Sequence, residues 1–98
     1  MKMTEHETQK LHYEVMGIAL AIRGHEGEST LYHDLDQAIS DTDWRKMAII
    51  QFAFEMLTTQ QRTAILSDQT TGDDVVAAIA VFDKHLRSML PGKASKSA

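Results

Sequence analysis

The chain contains no cysteine, which excludes a disulfide framework, a thiolate metal site and a cysteine nucleophile, and suits a reducing compartment. Proline occurs once, at Pro91, and glycine only five times in 98 residues, so little interrupts the body of the chain and long helices are expected. The longest apolar run, Val15 to Ile22, is eight residues, far short of the roughly 20 that span a bilayer. The first residues, Met1 to Glu7, are acidic where a secretory leader would be basic and then apolar. No export signal is expected, and the cytoplasm is the expected location. Positive charge is scarce: ten Lys and Arg face fourteen Asp and Glu, a formal net charge of −4. A nucleic-acid binder usually carries the opposite sign, for its phosphate contacts.

What the sequence does contain is ordinary for a globular chain, 43% hydrophobic and 24% charged residues, which fits one domain with a single core. Sustained period-two alternation and Asn-Gly or Asp-Gly turns are missing, so no strand is expected. The fold class is therefore all-α, a compact bundle of four to five helices over residues 1–90, with 91–98 as a flexible tail.

The first helix is expected from about residue 5 to about 23. Thr4 and Glu7 have the spacing of a capping box, Leu11, Val15, Ile18 and Ile22 recur at helical steps, and Gly24 offers a left-handed stop. A short second helix follows Ser29 or Thr30, with Leu31, Leu35, Ala38 and Ile39 in register, and ends near Ser40. Asp41 to Asp43 then cap a third helix that is apolar on nearly every side from Trp44 to Leu57. Such a helix belongs at the centre of a bundle or in a subunit interface. Thr58 and Gln61 repeat the capping-box spacing and open a fourth helix ending near Asp68, with a loop over Gln69 to Gly72. The fifth helix begins at Asp73 and Asp74, carries a stripe of Val75, Ile79, Phe82 and Leu86, and stops at Pro91-Gly92.

Chemistry-bearing patterns are sparse. The five histidines lack ligand spacing: there is no His-Glu-x-x-His and no Glu-x-x-His, so no metal and no cofactor is expected. Asp34 with Asp36, Asp41 with Asp43 and Asp73 with Asp74 suit helix starts better than acid–base catalysis. No nucleophile elbow or glycine-rich phosphate loop occurs. The expectation is a protein without enzymatic activity. A polar pocket around His12, His33 or His85 would be the first sign of a site assembled from residues distant in sequence.

Two features stand above this background. Between Arg23 and Arg45 lie six acids and no Lys or Arg. Glu26, Glu28, Asp34, Asp36, Asp41 and Asp43, with Trp44 beside them, are the expected contact surface for a basic protein partner. The second is excess apolar surface on the first and third helices. Val15, Met16, Ile18, Ala19 and Ile22 are the expected interface of a homodimer. Together they describe a small acidic binding module that regulates or inhibits a larger partner, for instance one that handles nucleic acid. The alternative is a helix-turn-helix regulator using the fourth and fifth helices, with Arg62 as a phosphate contact, although Asp73 and Asp74 would face the DNA.

Overall fold

A computed structural model describes residues 3–67 and 72–90. Five helices follow one another: α1 (Glu5–Glu26), α2 (Thr30–Ser40), α3 (Trp44–Glu55), α4 (Thr59–Leu66) and α5 (Asp73–Met89). Among the described residues there is no strand, and the all-α expectation holds. Of the loop expected over Gln69 to Gly72 only Gly72 is described, and the tail expected over 91–98 lies outside the described residues.

The helix starts are those the sequence encodes. Thr4 accepts from the Glu7 N–H at 3.1 Å and its own N–H donates to Glu7 Oε1 at 2.9 Å, closing a capping box. Thr58 and Gln61 repeat it at 3.1 and 2.9 Å. Ser29 and Asp43 cap α2 and α3 through the Tyr32 and Lys46 N–H groups. The backbone N–H and then the hydroxyl of Thr4 hold the Glu7 carboxyl below its ordinary value of 4.5. A depressed folded value means that the box stabilises the helix at neutral pH and that this is lost as the pH falls through the folded value. Carbon-13 titration of the Glu7 carboxyl is expected to give a midpoint below 4.5; a midpoint at or above it contradicts the box.

The end of α1 departs from expectation, and the end of α2, at Ser40 as expected, carries an unusual cap. α1 does not stop at Gly24 but runs to Glu26, with Gly27, at a positive φ of 73°, as the cap whose N–H donates to Arg23 O. A tertiary contact holds the extra turn in place: the His25 Nε2 lies 2.7 Å from Ile65 O on α4. At the end of α2, Asp43 N–H bonds to Ala38 O and Thr42 N–H to Ile39 O, the pairing of a Schellman motif. Its left-handed position is occupied by Thr42 (φ 51°), where glycine is the usual residue. A β-branched side chain there costs roughly 1–2 kcal/mol. Thr42→Gly is therefore expected to raise stability by about 1 kcal/mol in chemical denaturation, and a loss of stability would contradict the assignment.

One apolar core joins all five helices, and no polar or charged residue is buried in it among the described residues. α1 packs on α2, α3 and α4, and α5 closes the bundle against α3 and α4. At their junction the ring of Phe82 meets the ring of Phe54 edge-on, with centroids 5.6 Å apart. α3 packs on α1, α2 and α5 as its composition suggested, but it is not covered on every side. Met47, Ile50, Ala53 and Phe54 point inward, while Phe52 and Met56 stand about half exposed on its outer side, at 57% and 49%.

Candidate functional site

The acidic residues expected to form one surface are dispersed by the fold. α2 separates Glu26 and Glu28 at one end from Asp41 and Asp43 at the other, and its eleven residues span about 16 Å. Several are already engaged. Glu28 lies 3.9 Å from both Arg23 and His33. Asp41 accepts from the Gln37 amide, and Asp43 caps α3. Glu26 and Asp36 remain exposed on the surface. Trp44 is half-buried against the core, its ring edge-on to His12.

Asp34 is turned inward to an ion pair with Arg87 of α5, Oδ2 to Nη1 at 2.6 Å, and Arg87 Nε also meets Asp83 at 3.0 Å. Burial works against the Arg87 charge, but Asp34 and then Asp83 outweigh it, and the guanidinium pKa is raised. Asp34 thus fastens α2 to α5 and is not free for a partner. Arg87→Gln strands this carboxylate and is expected to cost about 1–2 kcal/mol. Adding Asp34→Asn should recover part of that loss in a double-mutant cycle; strict additivity would contradict the pairing.

The expected dimer interface is corrected by burial. Val15, Ile18, Ala19 and Ile22 are 0–4% exposed within the single chain, so they form its core and offer nothing to a second copy. Only Met16 of that set is partly exposed. The outer surface of α1 is a different stripe. Tyr13, Gly17, Leu20 and Gly24 fall within an arc of about 60°, diametrically opposite Leu11, Val15, Ile18 and Ile22. Tyr13 is 63% exposed and Leu20 57%. A Cβ built on Gly17 or Gly24 meets nothing within 4 Å.

Beside this stripe lies a groove of about 770 Å³. α1 supplies Tyr13, Glu14, Gly17 and Ile18, α3 supplies Gln51, Phe54 and Glu55, and α4 supplies Thr59, Arg62, Thr63 and Leu66. A smaller hollow, bounded by Leu20, Gly24, His25 and Ile65, shares the Leu66 wall and extends the trough along α1. From residue 13 to residue 24 the trough runs about 16 Å, three turns of a helix.

The charges on the groove are unequal in freedom. Arg62 is spent internally: its Nη1 donates to Glu55 O at 3.0 Å and Leu57 O at 2.7 Å, closing the carbonyls at the end of α3, and its Nη2 donates to Thr59 Oγ1. Glu14 accepts from the Gln51 amide across the α1–α3 seam. The Glu55 carboxylate is exposed and has no partner among the described residues. An apolar floor with a net acidic rim results.

This site was hidden from sequence reasoning because three helices build it, joining residues up to 53 positions apart, from Tyr13 to Leu66. The available signal was the second stripe on α1, at the same 4-3-4 spacing as the core stripe but out of phase with it.

Other sequence-level candidates gain little. The start of α5 presents Asp73 and Asp74, both exposed, and Arg62 is committed to carbonyls, so nothing favours DNA reading. Among the described residues no three His, Asp or Glu side chains gather where they could hold a metal ion. No helix among them is long and apolar enough to cross a membrane. A cleft does lie beside His12, between the start of α1 and Thr42 and Trp44. No protein-family model, curated protein or solved structure matches the chain.

Proposed function

We propose that this protein is a non-enzymatic binding module that captures a basic amphipathic helix of a larger protein in the α1–α3–α4 groove. Covering that helix regulates or inhibits its owner. The observation that carries this reading is the groove itself, about 770 Å³, open along three turns and acidic at its rim. A helix docks by laying an apolar ridge into such a trough. Gly17 and Gly24 leave room for its side chains to seat against the α1 backbone. Glu14 and Glu55 complement Lys or Arg flanking that ridge, which adds selectivity and encounter rate more than affinity.

The partner's chemistry is the one expected from the overall acidity, but the contact lies away from the Glu26–Trp44 segment. The test is a fluorescence anisotropy titration with a labelled leucine-ridge helical peptide flanked by lysines, alongside the same peptide flanked by glutamates. Saturable binding of the lysine form and at least about tenfold weaker binding of the glutamate form supports the proposal. Equal binding, or none, overturns it. Light scattering of the free protein reads the competing occupant, a second copy of this chain: a dimer that the Gly17→Leu substitution dissociates would assign the groove to self-association instead.

A further inference from the structure

Independently of the groove, we infer that a second cleft, between the start of α1 and the α2–α3 corner, is a binding site for a small organic cation, an ammonium or guanidinium group held between the Trp44 indole and the Glu5 carboxylate. The cleft is about 300 Å³, at the lower end of the range for small-ligand sites. Glu5, Thr8, Gln9 and His12 line one side of it, and Thr42 and Trp44 the other. The first four sit at i, i+3, i+4 and i+7, one face of α1 beside its core stripe.

Two properties select the ligand. The first is charge: the lining has one carboxylate and no Lys or Arg. A cation meets the Glu5 carboxylate directly, with no like charge in the lining to oppose it. The second is the aromatic wall. Trp44 is the best cation–π partner among side chains, and its contact with His12 is edge-on at 6.4 Å. The lining polar groups are also unspent. Thr8 Oγ1 donates to Glu5 O, but the Glu5 carboxylate, the Gln9 amide, the His12 imidazole, the Thr42 hydroxyl and the Trp44 N–H make no hydrogen bond with the described residues. Of these, the Glu5 carboxylate, the Gln9 amide oxygen and the Thr42 hydroxyl can accept from an ammonium or guanidinium N–H, while a quaternary ammonium, which has no N–H, is held by charge and the indole.

Trp44 is the single tryptophan of the chain, so the emission comes from one residue, which lines the cleft. Choline is expected to change that emission saturably, and 3,3-dimethyl-1-butanol, the same shape without the charge, to leave it unchanged over the same concentrations. Glu5→Gln is expected to weaken choline binding about threefold with helicity retained by circular dichroism. An alanine-based peptide bearing one trimethyl-lysine separates the two sources of the cation. Tighter binding of the peptide assigns the cleft to a partner's side chain, and tighter binding of choline assigns it to a free cation; both support the inference. A response to the neutral alcohol equal to that of choline, or no saturable response to either cation, overturns it.

Discussion

Phe82→Ala is expected to remove about 3–5 kcal/mol of stability, a large fraction of what a chain of this length has, on the order of 5–15 kcal/mol. Phe82 is 0% exposed. It sits where α5 closes on α3, its ring against the edge of Phe54 at 5.6 Å. Truncation removes the transfer energy of the ring and leaves a cavity whose walls, helices fixed by their own caps, collapse only in part. The loss corresponds to a fall in thermal midpoint of about 15–30 °C, read by circular dichroism at the helical band. Val76 provides the control on the same helix. It is 65% exposed, and Val76→Ala is expected to change stability by less than about 0.5 kcal/mol. Similar effects from the two substitutions would mean that α5 does not present its Val75, Ile79, Phe82 and Leu86 stripe to the core.

Gly17→Leu is expected to separate binding from folding. Gly17 lies inside α1 without a positive φ, and a side chain there enters open space. Leucine is a better helix former than glycine by about 0.8 kcal/mol, so the thermal midpoint should be unchanged or higher. The same side chain fills the groove beside Tyr13, where the ridge of a docked helix would seat. Loss of such a central contact is expected to weaken the lysine-flanked peptide about 30-fold or more, the effect of an interface hot spot. Lower stability would mean that the Gly17 position is packed rather than open. Retained affinity would mean that the peptide binds elsewhere.

Local signals carried the fold well. The Thr4–Glu7 and Thr58–Gln61 spacings are capping boxes in the structure, and the starts of all five helices fall where caps and apolar periodicity placed them. The discrepancies come from tertiary structure. Gly24 reads as a stop, yet the contact of His25 with Ile65 carries α1 one turn further. α3 reads as apolar all round because its outer residues, Phe52 and Met56, are as hydrophobic as its inner ones, and composition does not tell the two faces apart. The Val15–Ile22 run reads as core and interface at once. Burial resolves it by phase, with Val15, Ile18, Ala19 and Ile22 inside and Leu20 outside.

The candidate site was less legible for a related reason. Neighbours in sequence are not neighbours in space: the acids from Glu26 to Asp43 flank both ends of α2, and Asp34 finds Arg87, 53 positions away, rather than its acidic neighbours. The charges that matter to the groove, Glu14 and Glu55, belong to no run of acids. Gly24 reads as a helix stop, and only the structure shows that Gly17 and Gly24 open on solvent beside exposed Tyr13 and Leu20.

The most direct test of the central claim is chemical-shift mapping of the isotope-labelled protein with the lysine-flanked helical peptide. The groove account predicts that perturbed amides concentrate at residues 13–18 of α1, 51–55 of α3 and 59–66 of α4, with Gly17 among the largest. Perturbation centred on Glu26 to Trp44 would return the binding role to the acidic segment and contradict the account, as would a titration in which no groove amide moves.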